Sequence, residues 1–411
     1  MPDVSVLSVR LYGEEIGTIT YVGAEKTLFA FSDAYVENPE RPTLGLQFKD
    51  GFGELITDFR PYKIKLMPYF SNLLPEGHLR RYLADKADIH IDREFFLLWV
   101  LGQDLPGAIT VVPADGEEWP DEAHNILEGK AAREAAEDAM RFSLAGVQLK
   151  FSAVQSASGG LTIPTTGVGG NRIVKLPSRE FPNVPENEFS MMSLARLVGI
   201  NVPAIGLIDV RSIDNLPDGI EKIGQQAFVI ERFDRNEDGS VTHIEDFAQV
   251  FNVYPENKYK KASYRNLISV IASESDQEDV AEFIRRLTFN VLIGNGDMHL
   301  KNWSLIYPDR RNARLAPAYD FVSTIPYIAN DRSALTFSRT KEFTGFTLDE
   351  LAHLSAKAKL PRKLVIDTAK ETVALFMERW ETEKTNLPMR QDVIATIDKH
   401  LPTLSIVTGK E

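Results

Sequence analysis

The densest group of side chains able to do chemistry is Gly294-Asn295-Gly296-Asp297-Met298-His299-Leu300-Lys301-Asn302, with Tyr319-Asp320-Phe321 downstream of it. Between them, Trp303–Tyr307 and Arg314–Ala318 read as two strands joined by the turn Pro308-Asp309-Arg310-Arg311-Asn312. A hairpin brings its ends together, so Asp297, Asn302 and Asp320 are expected to converge. Phosphoryl transfer needs this combination: a carboxylate to accept a hydroxyl proton and hard oxygen ligands for Mg²⁺. In the kinase pattern an Asp and an Asn stand five apart, as Asp297 and Asn302 do, and a second metal-binding Asp comes later, as Asp320 does. The competing reading is structural, because Gly, Asn and Asp are also turn formers.

A kinase also needs a cation on the nucleotide phosphates. Lys175 is the one charge inside the apolar run Ile173–Leu176, where a lysine ordinarily snorkels to the surface. Glu186 and Glu188 open the next helix, and Glu188 is the candidate partner for it. Two glycine-containing stretches could cover phosphates, Ser143–Lys150 and Gly167–Asn171. Neither is G-x-G-x-x-G, although backbone N–H groups in such loops can form an anion nest. Phe228–Arg235 is an apolar strand ending in alternating charges, read either as a base-binding hinge or as a strand end carrying surface ion pairs.

Positioning these groups requires a sheet-rich part and a helical part with a cleft between them. Residues 1–113 read as mixed strand and helix. Val4, Val6, Val9 and Leu11 have a period near two, Gly13-Glu14-Glu15 turns into Ile16–Val22, helices are expected at Glu76–Ala87 and Asp92–Leu101, and a strand at Ala108–Val112. Residues 114–140 hold nine acidic residues against Lys130 and Arg133 and read as a solvated linker. Within 141–240, strands are expected at 147–153, 171–176, 203–210 and 225–233. A helix over Pro185–Val198, with Phe189, Met192 and Leu197 on one stripe, is stopped by Gly199. Residues 241–411 read as mainly helical. There Ser275-x-x-Glu278 forms a capping box ahead of Val280, Phe283, Ile284, Leu287 and Val291.

Composition narrows the rest. Forty-six basic against 59 acidic residues, a net charge of −13, argues against broad nonspecific DNA binding. The absence of cysteine excludes a disulfide framework, thiolate metal ligation and a cysteine nucleophile, and makes the cytoplasm the expected compartment. No apolar run approaches the ~20 residues a membrane span needs.

Six blocks, in order, resemble the HipA-type toxin kinases of bacterial HipBA toxin–antitoxin systems. They are Ser143–Lys150, Ile173–Pro177, Glu186–Phe189, Glu231–Arg235, Gly294–Asn302 and Ala316–Phe321. Phe70–Gly77 and Leu105–Ile109 are similar to the N-terminal region of that family. The resemblance implies an α+β, bilobal protein-kinase-like fold that uses ATP and Mg²⁺ to phosphorylate Ser or Thr. It makes Asp297 the proton acceptor and Asn302 and Asp320 the Mg²⁺ ligands. Ala145, Gly146, Val147, Gln148, Leu149 and Lys150 would cover the phosphates, with Lys175 contacting them. Glu231 and Phe233 would hold the adenine through backbone, with Arg232, His299, Leu300, Lys301, Tyr319 and Phe321 bordering the same site. Ser143 matches an autophosphorylated loop serine whose modification is associated with inactivation. The implied partners are a HipB-like helix-turn-helix antitoxin, which carries operator DNA binding, and a protein substrate such as an aminoacyl-tRNA synthetase. A noncatalytic kinase-fold scaffold, and a metal hydrolase built from Asp297, His299 and Asp320, are the competing readings.

Overall fold

Two-residue turns with left-handed backbone build the N-terminal sheet. Strand β1 (Val6–Leu11) joins β2 (Glu14–Gly23) through Tyr12 (φ 54°) and Gly13 (φ 82°), and β2 joins β3 (Lys26–Phe31) through Ala24 (φ 49°) and Glu25 (φ 59°). Positive φ at both central residues matches the twist of a tight hairpin. With β4 (Tyr62–Lys63) and β5 (Ile109–Pro113) they form an antiparallel sheet in the order β4-β3-β2-β1-β5. Its apolar face packs on helix α1 (Glu94–Leu101), in a core that includes Leu7, Val9, Phe29, Phe70 and Trp99. The first turn therefore falls at Tyr12-Gly13, one residue before the sequence reading placed it.

The computed structural model describes residues 6–76, 80, 90–114, 150–155, 161–162, 170–214, 216 and 222–409. The expected acidic linker, Ser143, the loop Ala145–Leu149, and most of the expected helix at Glu76–Ala87 and of the Gly167–Asn171 stretch lie outside the described residues.

The second sheet comprises β6 (Lys150–Gln155), β7 (Leu161–Thr162), β8 (Arg172–Lys175), β9 (Ile205–Asp209), β10 (Ile213–Asp214) and β11 (Gln226–Glu231), in the order β10-β7-β6-β8-β11-β9. Helix α2 (Val184–Leu197) packs against β11 and β9. Gly199, at φ 84°, ends it as expected. Its buried face includes Glu188, Met191, Leu194, Ala195 and Met192, the last as expected from sequence; Leu197, assigned to the same stripe, is 47% exposed. Two carboxylates near its start, Glu186 and Glu188, belong to the buried set, which a stripe of apolar residues alone does not reveal.

The remainder is mainly helical: α3 (Tyr264–Glu274), α4 (Gln277–Leu292), α5 (Leu348–Lys357), α6 (Arg362–Glu383) and α7 (Gln391–His400). The N-cap of α4 is Asp276, whose carboxylate accepts from the amides of Glu278 and Asp279, so the expected Ser275 cap shifts by one. Val280, Phe283, Ile284, Leu287 and Val291 are all buried, as the helical period requires. A third sheet interrupts this region, with β12 (His243–Asp246), β13 (Ser304–Tyr307) and β14 (Arg314–Leu315) antiparallel. The expected hairpin is β13–β14. β12 is a strand that the mainly helical reading of residues 241–411 did not include. Among the described residues no helix is long and apolar enough to cross a membrane.

Candidate functional site

The antiparallel register of β6 on β8 sets Lys150 directly opposite Lys175. Residues so paired share a face of the sheet, and two like charges there repel unless anions separate them. Two carboxylates do. Lys175 donates to Glu188 of α2 and to Asp320 Oδ1, while Lys150 Nζ lies 3.2 Å from Asp320 Oδ2. Lys175 is 4% exposed and Glu188 is fully buried, so the lysine does not snorkel. Burial pushes the Lys175 ammonium toward neutrality, but Asp320 and Glu188 outweigh it and hold the group charged. Burial likewise acts to raise the Asp320 carboxyl, yet Lys150 and Lys175 keep it far below the usual carboxylate range. Glu188 is pushed up by its burial against the pull of Lys175, and its Oε2 is buried without a hydrogen-bond partner among the described residues.

Asp320 comes after β14 with φ 59°, a left-handed conformation uncommon outside glycine. Its flanking rings anchor it. Phe321 is fully buried and stacks on Phe289 with centroids 5.5 Å apart, and the Tyr319 hydroxyl donates to the Lys301 carbonyl at 3.0 Å. The loop 294–302 comes to the same place through Asn295. The Asn295 side-chain amide donates to Asn290 Oδ1 (2.8 Å) and the Asp320 carbonyl (3.4 Å), and its Oδ1 accepts from the Asp297 amide (3.0 Å). Asn302 Nδ2 donates to the Asp297 carbonyl at 2.9 Å. Asp297, Asn302 and Asp320 therefore sit in one hydrogen-bonded unit, as the hairpin reading requires.

Asp297 is solvent-exposed, as a proton acceptor for an incoming group must be. Partial desolvation raises its pKa against a hydrogen bond from the Tyr259 hydroxyl, and the Asp320 charge adds to the rise. His299 is buried, meets the Tyr259 ring edge-on at 4.9 Å, and leaves Nδ1 without a partner among the described residues. Burial, then the Lys258 charge, lowers its pKa to about 3, so it is neutral at physiological pH.

Other candidate residues separate into two groups. Phe233 packs its ring 5.9 Å from Tyr319, and its backbone N–H makes no hydrogen bond among the described residues. The amides of Glu231 and Arg232 are already bonded, to the carbonyls of Ala204 (2.8 Å) and Asn171 (3.0 Å). The Arg232 side chain pairs with Asp234 and Asp104, and Arg235 with Asp234 and Asp104. This charge run is thus a buried clasp on the 104–107 segment, where Gly107 N–H donates to Asp234 at 2.9 Å, and not a set of surface ion pairs. The Lys301 ammonium is likewise held away from Asp320, donating to the Asn72 carbonyl (2.9 Å) and pairing with Glu76 (3.0 Å). Leu300 is fully buried, and its amide donates to the Lys258 carbonyl.

Sequence reasoning missed Tyr259 and assigned no role to Asn295. Asn295 sits inside the motif already singled out, which was the available signal. Tyr259 lies far upstream in the chain and carries no motif.

The donor set fits Mg²⁺ bound with nucleotide. Asp320 supplies a carboxylate kept ionised, and Asn302 Oδ1 is left without a hydrogen bond among the described residues. Mg²⁺ characteristically takes few protein oxygens and completes its shell with phosphates and water. A hydrolytic metal centre needs more protein ligands, and no three His, Asp or Glu side chains converge to hold a metal among the described residues.

A family model described as HipA-like C-terminal domain matches residues 142–380, and one described as HipA N-terminal domain matches residues 7–112. The chain is 57% identical over 409 residues to a Sinorhizobium fredii protein named "Putative kinase Y4dM", spanning 99% of this chain and 98% of that one. It is 25% identical over 331 residues to the serine/threonine-protein kinase toxin HipA of Shewanella oneidensis, spanning 72% of each. A chain in the solved complex of HipA, HipB and operator DNA from Shewanella oneidensis MR-1 superposes with a TM-score of 0.73 at 21% identity, over 98% of this chain and 96% of that one. The fold is therefore the α+β, bilobal, kinase-like architecture of that structure.

Proposed function

Since this chain belongs to the HipA family, we propose that it is an ATP-dependent serine/threonine kinase acting as the toxin of a toxin–antitoxin pair. The observation that carries the reading is the junction of Lys175, Glu188 and Asp320 beside the loop bearing Asp297. A scaffold with no catalytic task has no need to bury a lysine between two carboxylates, one on a left-handed backbone.

In this reading Lys150 and Lys175 offer their ammonium groups to the nucleotide phosphates. Glu188 keeps Lys175 in place when Asp320 turns to its metal. Asp320 and Asn302 hold Mg²⁺, which when bound neutralises charge on the phosphate oxygens. Asp297 takes the proton of the acceptor hydroxyl as that oxygen bonds phosphorus and ADP leaves. The N–H of Phe233, which has no hydrogen bond among the described residues, is the donor for the adenine. Ala145–Leu149 cover the phosphates, and Ser143 is the acceptor of autophosphorylation. The divisions 1–113, 114–140, 141–240 and 241–411 serve as N-terminal subdomain, linker, nucleotide-binding part and catalytic helical lobe. The protein substrate is a cytoplasmic one such as an aminoacyl-tRNA synthetase, and a HipB-like antitoxin neutralises the kinase and carries operator binding. The likeness to the HipA chain of the HipA–HipB–DNA complex supports that partnership.

Calorimetric titration of ATP, with and without Mg²⁺, tests the assignment. Wild type should bind Mg-ATP, and Asp320→Asn should bind it at least tenfold more weakly, because a charged oxygen ligand is lost from a hard cation. Equal affinity of the two proteins would remove Asp320 from the metal site.

A further inference from the structure

With Asp297 as the proton acceptor, one of its contacts has no role in the chemistry. The Tyr259 hydroxyl donates a hydrogen bond to Asp297 Oδ1. A phenol O–H on this carboxylate is chemically the same interaction that an acceptor side chain must make before it gives up its proton. Resting on that role of Asp297, we propose that Tyr259 occupies the acceptor-hydroxyl subsite of this kinase, and that a hydroxyl-bearing segment of a protein substrate must displace it to be phosphorylated.

The residue is placed to leave. The residue is 38% exposed, and its ring touches His299 edge-on. It lies outside regular helix or strand, just after the one-turn 3-10 helix Pro255–Asn257. Its neighbour Lys258 restrains the segment. The Lys258 carbonyl accepts from the Leu300 amide at 3.3 Å, and its ammonium pairs with Glu76 at 2.9 Å. Glu76 also pairs with Lys301 of the catalytic loop, so this carboxylate from the N-terminal region ties the tyrosine-bearing turn to that loop. The alternative is a fixed strut, with Tyr259 orienting Asp297 permanently while the substrate uses Oδ2, which makes no hydrogen bond among the described residues.

Tyr259→Phe keeps the ring and removes only the competing hydroxyl. Wild type and variant are incubated with Mg²⁺ and γ-labelled ATP over a dilution series of soluble bacterial lysate protein, and initial label incorporation is recorded. A displaceable occupant predicts faster labelling by Tyr259→Phe at low lysate protein, by about tenfold for one hydrogen bond to a charged group, with the ratio falling toward one as acceptor concentration rises. Equal or slower labelling at every concentration overturns the proposal in favour of a strut. The contact itself is read without catalysis by nitrating the apo proteins with tetranitromethane and locating the modified tyrosines by mass spectrometry. Tyr259 should react several-fold more slowly in wild type than in Asp297→Ala, and equal rates overturn the proposal. Absence of any label from wild type, with the nitration contrast intact, would instead refute the kinase reading.

Discussion

Replacing Lys175 by Met tests the electrostatic arrangement through folding alone. The ammonium is 4% exposed and bonds two carboxylates. Asp320 would retain Lys150, but Glu188 would lose its bond at Oε1 while Oε2 already lacks one among the described residues. An uncompensated buried charge of this kind costs about 3–5 kcal/mol. The cost depends on pH with a definite sign. Burial already raises the Glu188 carboxyl, and loss of Lys175 raises it further. A carboxyl whose folded pKa exceeds its unfolded value of about 4.3 destabilises the fold fully above the folded pKa and not at all below the unfolded one. The deficit of Lys175→Met relative to wild type should therefore be largest at pH 7 and narrow toward pH 4.5. Urea unfolding of the apo chain, monitored by the fluorescence of the buried Trp303 and Trp380, measures it. These indoles share a core with Phe228 and Ile230 of β11, the strand that pairs with the Lys175 strand. The double variant Lys175→Met/Glu188→Met should recover most of the loss, since apolar replacement of a buried pair is often near neutral. A deficit under about 1 kcal/mol at pH 7, or one that does not change with pH, refutes the reasoning.

Glu245 offers a second pH test away from the proposed nucleotide site. It is buried and accepts from the Leu46 amide (2.9 Å) and the Tyr307 hydroxyl (2.5 Å), and burial raises its pKa to about 8. Its cost to stability should grow between about pH 4.3 and pH 8, so Glu245→Gln, which keeps an acceptor oxygen, should exceed wild type in urea midpoint at pH 8 and match it near pH 4.5. A difference that is flat across this range would contradict the assignment. Phosphorylation of Ser143 adds about −1.5 to −2 charges beside the proposed phosphate-covering loop, where like charges repel. Phosphorylated protein should lose Mg-ATP binding in calorimetry while Ser143→Ala keeps it; equal binding by the two would sink the switch.

What was legible in the sequence was local. Asp297, Asn302 and Asp320 lie at the ends of one hairpin, so strand periodicity and a turn sufficed to bring them together. Lys175 and Glu188 belong to a consecutive strand and helix, and their pairing came from that succession. Register was not legible. That Lys150 stands opposite Lys175 depends on how β6 aligns with β8, and nothing in either strand's composition specifies it. Tyr259 was invisible because the segment around it has no period of two or 3.6, and its contact with Asp297 is tertiary. β12 was missed because His243-Ile244-Glu245-Asp246 is mostly polar, yet His243 and Glu245 are buried by hydrogen bonds to the 44–46 backbone. The Ala24-Glu25 hairpin lacks the glycine or asparagine that usually marks positive φ, so sheet context overrides local preference there. The charges of Glu231–Arg235 looked like a solvated strand end because their partners, Asp104 to Gly107, lie more than a hundred residues away in sequence.

The most direct measurement is phosphate incorporation by wild type and Asp297→Asn with Mg-ATP, read by mass spectrometry on this chain and on lysate proteins, alongside ATP affinity. An amide of nearly equal volume cannot accept the hydroxyl proton, and loss of a general base typically costs about 10²–10⁴-fold in rate. Wild type should transfer phosphate from ATP both to Ser143 and to lysate protein, while Asp297→Asn binds Mg-ATP comparably and transfers at least about a hundredfold more slowly. Undiminished transfer by Asp297→Asn, or Mg-ATP binding by wild type with no phosphate transferred anywhere, would contradict the assignment of this chain as a kinase acting through Asp297.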